Sequence, residues 1–493
     1  MDRKKRILNL ENWPEQYRQK LLSLEQAAGL IKSGDKIFIP NGYVGELPYA
    51  IVARRDELRQ VQVEVTAPAF DPGWLLPGME ESFEIQVRTY LHLARPGHDE
   101  GRIQFLPYTN WTWFKPYRDR RRVARDIDVL LLEVSPPDEN GFCTLGAVAW
   151  EKNKYIREAK IVIAEIDDYQ IRSRGDTAIH ISEIDYLVNI SAPPVTEEEA
   201  LRVAARFPAE KQERARDAAL LAHPRLFRRV LPFLDLVELS MIEFQLNMDE
   251  PDDTAKAIAR NLKDILNDHD TIQIGVGKPS KYMIELGVFD QLNDLSIFSE
   301  MACPGMGFLI KRGIATGKFA TLHPGKAVFT GLIGFRPEEI RWADDNPLIE
   351  LHGADYVLNI GNISRNENMV AINNITQVDL LGQITCETQF GPRLINGPGG
   401  QIEFHLGAFF SPGGKAVSLL PSTWGGGGIS TIVPQLDEGS VVSIPRVYAD
   451  YVVTEWGVAQ LTGRTNRERA QALIQIAHPD FRDELREAAK KIS

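Results

Sequence analysis

Apolar positions recur along this chain in two alternating spacings. Leu24, Ala27, Ala28 and Ile31 repeat at helical intervals and stop at Ser33-Gly34-Asp35, after which Lys36-Ile37-Phe38-Ile39 reads as a strand entering Pro40-Asn41-Gly42. The same order returns later. Ala255, Ile258, Ala259, Leu262, Ile265 and Leu266 form one helical face, Asp268-His269-Asp270 ends it, and Thr271-Ile272-Gln273-Ile274 runs into Gly275-Val276-Gly277. Such self-similarity implies two halves built on one design. Gly42 and Gly277 fall at one offset, and Val61–Thr66 then lies opposite Leu295–Glu300, so that Thr66 takes the place of Glu300. The pattern further matches Lys160–Glu165 with Asp450–Glu455.

Strands alternating with helical stretches in both halves predict an α/β fold: two similar open α/β domains facing each other across a cleft, with an extra helical segment between them. The expected boundaries are 1–195, an inserted segment 196–250 and a second domain 251–493. Thr196-Glu197-Glu198-Glu199 opens the insert, whose Ala- and Arg-rich stretch leads to the apolar run Leu231–Val237, and the acidic stop Asp249–Asp253 closes it.

Composition narrows the function. A net charge of −12 argues against a general nucleic-acid binder, which needs clustered Lys and Arg. Cys143, Cys303 and Cys386 are too scattered for a metal-ligand pair and too few for a disulfide framework, so no metal is expected and a reducing, cytoplasmic setting is. The basic start Met1–Arg6 is followed by no apolar signal core, and no apolar run has membrane-spanning length.

The candidate chemistry centres on Leu295-Ser296-Ile297-Phe298-Ser299-Glu300, an apolar run that reads as a buried strand with a carboxylate at its carboxyl end. In open α/β sheets ligands bind at that edge, which makes Glu300 a candidate nucleophile or base; a solvated strand-end Glu is the plainer alternative. Spacing alone leaves Glu455 as its equal rival. Gly275-Val276-Gly277-Lys278-Pro279-Ser280 lacks both the P-loop pattern and the third glycine of a dinucleotide fingerprint, so it is either a tight turn or an amide cradle. The glycine loops Gly397-Pro398-Gly399-Gly400 and Trp424–Gly428 are either flexible or places where backbone amides approach a reacting oxygen.

These motifs, with Ser135–Gly146, Val378–Ile384, Val452–Ala459 and the tail from Glu468 to Arg482, make the chain resemble the acetyl-CoA hydrolase/transferase family of class I CoA-transferases. The resemblance implies a CoA-transferase working through acyl-glutamyl anhydride and glutamyl-CoA thioester intermediates on Glu300. It implies that amides of Gly399 and Gly400 stabilise the oxyanion, that Asn366 is a side-chain donor, and that Glu455 assists. Gly275, Gly277 and Lys278 would line the thioester end of CoA. Donors and modest desolvation should keep Glu300 ionised. Coenzyme A is then substrate, with no cofactor; the partners are acyl-CoA and carboxylic acids, and a homodimer is expected. Phe298-Ser299 before the nucleophile departs from the family's His-Thr and makes that approach more apolar. An acyl-CoA hydrolase on the same site and a catalytically silent CoA-binding subunit are the alternatives.

Overall fold

The computed structural model describes all residues except 1–5, 69, 90–92, 122–125, 232–233, 235–238, 240–241, 244–245 and 492–493. Most of the Leu231–Val237 run and the basic start therefore lie outside the described residues. The chain forms two compact units: Met1–Leu106 with Phe114–Asp249 and Gly331–Gly353, and Pro107–Trp113 with Glu250–Thr330 and Ala354–Ser493. The segment 196–249 thus packs within the first unit, while the short stretch 107–113 belongs to the second.

The first unit is built on eight parallel strands in the order Leu21–Leu22, Tyr186–Asn189, Ile161–Ile166, Val129–Val134, Lys36–Ile39, Val61–Val65, Phe83–Val87 and Ile103–Phe105. Strands covered on both faces read as near-continuous apolar runs, and every residue of Val129–Val134 is buried. Ser23 caps the helix Leu24–Ala28 in a reciprocal box with Gln26, and Ala27 and Ala28 carry its buried face onto the core of this unit. Thr196 and Glu199 make the same box at the start of the helix Glu197–Ala204, which packs with Gln212–Leu221 around Ala200, Val203, Ala215 and Ala219.

In the second unit Ala327–Gly331, Ser296–Met301, Thr271–Ile274, Met369–Asn374, Lys415–Leu419, Tyr451–Thr454 and Gly457–Gln460 follow one another across a sheet, with the last strand antiparallel to its neighbour. Asp252 caps the helix Asp253–Lys263, whose Ala255, Ile258, Ala259 and Leu262 are buried as the helical spacing predicts. The sheet order reverses at Lys36–Ile39 in one unit and at Thr271–Ile274 in the other, and such switch points open a crevice at the strands' carboxyl ends.

The duplication holds from these switch strands outward to Val61–Val65 and Ser296–Met301. It slips elsewhere. Counted from the switch strand, Ile161–Ile166 occupies the place of Lys415–Leu419, and Tyr451–Thr454 that of Tyr186–Asn189, so matching Lys160–Glu165 with Asp450–Glu455 is out by one strand. Similar apolar strand sequences ending in Glu produced the mismatch, because burial on both faces selects the same residues whatever the strand's place in the sheet. Among the described residues no helix is long and apolar enough to cross a membrane.

Candidate active site

Glu300 lies near the carboxyl end of the Ser296–Met301 strand, one strand from the switch point. Its backbone carbonyl accepts from the Thr330 hydroxyl, which fixes the strand end, and the residue as a whole is half-buried. Two neutral donors hold the carboxylate: the Asn110 side-chain amide on Oε1 and the Gly400 backbone N–H. Among the described residues no cation pairs with it. Burial of the carboxyl group outweighs both donors and pushes its pKa up to about 7. The expectation that desolvation would be modest is therefore corrected. Protein packed around the carboxyl removes more hydration than two neutral donors replace.

Gly400 precedes the helix Gln401–Phe410, and a Cβ there would overlap Glu300 Oε2 and the Leu358 side chain, so any larger residue would displace the Glu300 carboxyl or Leu358. Gly399, at φ 55°, turns its carbonyl to accept the Asn110 N–H at 2.9 Å. The glycine loop therefore touches the nucleophile candidate directly through Gly400 and indirectly, by placing Asn110, through Gly399. Trp113 Nε1 donates to the Asn110 carbonyl at 2.8 Å and braces the other side of that residue.

A second carboxylate stands beside this group. Glu403, in the first turn of the Gln401–Phe410 helix, is 3% exposed. Its Oε1 accepts from the Thr109 hydroxyl, while its buried Oε2 has no hydrogen-bond partner. Burial, aided by the charge on Glu300, pushes its pKa up to about 8 against the Thr109 donor. Neither Asn110, Thr109 nor Glu403 was expected from sequence. Glu403 follows the glycine loop by three residues and could have been found there. The Thr109-Asn110 pair carries no such signal, since it belongs by sequence to the first half and by packing to the second unit.

The other candidates take varied places. Asn366 is fully buried at the end of the helix Ile360–Arg365, where its amide donates to the Asn362 carbonyl at 3.1 Å; the side-chain amide on Glu300 comes from Asn110. Glu455 accepts from the Ser422 N–H at 3.0 Å and from the Ser422 hydroxyl. Gly275 and Gly277 follow the switch strand, and their carbonyls accept from the Ser280 hydroxyl, with a three-residue 3-10 turn rather than an α-helix after them. Lys278 is exposed, with its Nζ 5.9 Å from the centre of the Tyr282 ring. The Trp424–Gly428 loop is the turn of a small hairpin: Gly425, Gly426 and Gly427 all have positive φ, and Trp424 is 55% exposed.

The largely parallel open α/β fold is that of the CoA-transferase class: it superposes on 4-hydroxybutyrate CoA-transferase from Porphyromonas gingivalis with a TM-score of 0.69 at 26% identity, covering 97% of this chain and 100% of that one. Residues 1–196 match the acetyl-CoA hydrolase/transferase N-terminal domain and residues 337–489 the acetyl-CoA hydrolase/transferase C-terminal domain, and the chain belongs to this family. It is 33% identical to 4-hydroxybutyrate coenzyme A transferase of Clostridium kluyveri over 97% of this chain and 99% of the relative. Succinyl-CoA:cyclohexane-1-carboxylate CoA transferase of Geobacter metallireducens is 31% identical, with 98% of each chain covered. Among solved structures, RipA from Yersinia pestis superposes with a TM-score of 0.79 at 27% identity, covering 98% of this chain and 99% of that one.

Proposed function

We propose that this protein moves CoA from an acyl-CoA to a carboxylate acceptor, with Glu300 as the nucleophile. The observation that carries this is the Glu300 carboxyl: buried enough to be weakly solvated and reactive, on a residue that is itself only half-buried, and held by two neutral donors with, among the described residues, no cation to quench it. Its carboxylate attacks the thioester carbonyl, giving an acyl-glutamyl anhydride and CoA thiolate. The thiolate then attacks the glutamyl carbonyl, releasing the first acid and leaving a glutamyl-CoA thioester. An incoming carboxylate reverses the two steps.

The donors that hold the carboxylate also fit the second attack. The Gly400 N–H and the Asn110 amide already address Glu300 oxygens, so they meet the negative charge that develops there when thiolate adds to the glutamyl carbonyl. Gly275, Gly277 and Lys278, at the end of the switch strand, are assigned to the thioester end of CoA. The two curated relatives act on different acids by name, which supports a carboxylate-to-carboxylate transfer while leaving the acyl group to the pocket walls.

Mass spectrometry of protein mixed with acyl-CoA and no acceptor should show a CoA adduct on Glu300. In Glu300→Gln the adduct should vanish and turnover should drop by about 10⁴-fold or more. Absence of an adduct with every thioester tried would overturn the nucleophile assignment, and full-rate CoA release without added carboxylate would make the protein a hydrolase.

A further inference from the structure

Glu403 is a buried acid that the reaction just described does not use. It faces Glu300 from the helix behind the glycine loop, and the two acids are tied together by one strip of chain: adjacent residues Thr109 and Asn110 donate to Glu403 and to Glu300 respectively. The groups around Glu403 are Glu300 from the neighbouring strand, Thr109 from the 107–113 stretch and the backbone of its own helix start. Among the described residues neither carboxylate has an ion-pair partner. One Glu403 oxygen is sealed from water without a hydrogen bond. An ionised carboxylate in that position would carry a bare anionic oxygen beside a second anion, whereas a carboxylic acid fits the enclosure.

The chemistry of CoA transfer gives this a purpose. Glu300 carboxylate, CoA thiolate and the departing or arriving carboxylate replace one another in turn, so each intermediate stage carries one negative charge at the reacting centre. No proton is taken up or released. A second fixed anion would oppose every one of those stages.

We propose that Glu403 is the proton-holding partner of Glu300: a positioning residue kept as a neutral acid, which limits the buried site to one negative charge and stops the reaction when it ionises. This rests on Glu300 being the nucleophile. The single charge then belongs to Glu300 or to the anion that replaces it. Loss of the Glu403 proton to solvent places two negative charges in the site, disfavouring both approach of an anionic acceptor and formation of the thiolate.

The test has two arms. In the first, kcat/KM for CoA transfer is followed against pH. The wild type should show an alkaline limb with a midpoint near the pKa of about 8 held by Glu403, falling about tenfold per pH unit beyond it. Glu403→Gln, which keeps the shape and removes the ionisation, should lower kcat/KM only about three-fold at neutral pH and lose the alkaline limb. Persistence of that limb in Glu403→Gln overturns the proposal, as does a uniform fall of about 100-fold with an unchanged profile, which a purely structural role would give. In the second arm, infrared difference spectra of the substrate-free wild type against Glu403→Gln should show a protonated carboxyl band that titrates away near pH 8. Its absence at neutral pH also overturns the proposal. This arm involves no turnover, so it separates failure of the Glu403 assignment from failure of the Glu300 mechanism, which the adduct experiment reports.

Discussion

Each unit buries a group of acids near the carboxyl ends of its parallel strands, and the two groups are solved in opposite ways. In the first unit Glu133 and Glu165 stand side by side in register on adjacent strands, with Asp167 just beyond. Arg225 enters from the helix Pro224–Val230 and places one nitrogen 3.1 Å from Glu133 and 2.8 Å from Glu165, while its Nε lies 3.5 Å from Asp167. Glu133 Oε2 accepts from the Val44 N–H and Glu165 Oε1 from the Leu47 N–H and the Tyr43 hydroxyl, while Glu165 Oε2, beside Arg225, also accepts from the Glu46 N–H. In the second unit Glu300 and Glu403 have, among the described residues, neutral donors alone, and one Glu403 oxygen is left without a partner. In the cation-centred cluster every oxygen of Glu133 and Glu165 is hydrogen-bonded, Asp167 Oδ2 being the exception, and the two glutamates fasten the 43–47 loop and the helix Pro224–Val230 to the sheet. The unsaturated pair retains reactive oxygens at the expense of stability.

Stability should therefore respond in opposite directions. Arg225→Met removes the cation from three buried carboxylates and should destabilise by about 3–5 kcal/mol in denaturant unfolding. Arg225 favours the ionised forms of Glu133 and Glu165, so without it both would hold protons to higher pH, and the loss should grow as pH rises. Glu403→Gln should instead stabilise. Glu403 is protonated in the folded protein up to pH about 8 but ionised in the unfolded chain above its ordinary 4.5, so the wild type loses stability as pH climbs through that window. Glutamine has no such ionisation, and a gain of about 1–3 kcal/mol near neutral pH, fading toward pH 4.5, is expected. A stabilising Arg225→Met or a destabilising Glu403→Gln would erase the contrast.

Asn110→Ala sharpens it from the catalytic side. Loss of one preorganised donor should lower kcat by about 10²-fold with little change in adduct identity. Because Asn110 favours the ionised form of Glu300, its removal should also move the acid limb of the rate profile above about 7. An unmoved limb with the same loss of rate would mean that Asn110 acts only later, on the oxyanion.

Much of this was legible in the sequence. The strands Lys36–Ile39 and Thr271–Ile274, the helix Asp253–Lys263 and the strand that ends near Glu300 follow from periodicity and helix-start signals, which are local, while the helix begun at Leu24 ends at Ala28, short of the stop expected at Ser33-Gly34-Asp35. The Gly399-Gly400 turn was legible too, since glycine at such density marks close backbone approach, and Gly400 does abut Glu300. What local pattern could not give is long-range pairing. Arg225 carries no local signal in the sequence, yet it is the countercharge for acids on two strands of the sheet. Asn366 was named as a donor through the family resemblance, whereas the side-chain amide on Glu300 reaches it from residue 110.

The finest adjustment concerns Thr109, whose hydroxyl donates to Glu403 and is itself positioned by Thr112, with 3.0 Å between the two hydroxyl oxygens and 3.1 Å from the Thr112 N–H to Thr109 Oγ1. That donor favours the ionised form of Glu403 and so works against the burial that keeps the acid neutral. Thr109→Val deletes it at nearly constant volume. The Glu403 proton should then be held more tightly, and the alkaline limb of the rate profile should move upward by up to about one pH unit, since about 1.4 kcal/mol of hydrogen bonding corresponds to one unit. Thr109→Ser keeps the hydroxyl and should leave the limb where it is. In the double variant Thr109→Val with Glu403→Gln there should be no limb to move, which makes the shift specific to this pair. A limb that stays fixed in Thr109→Val would show that Thr109 orders the 107–113 stretch without tuning the acid beside Glu300.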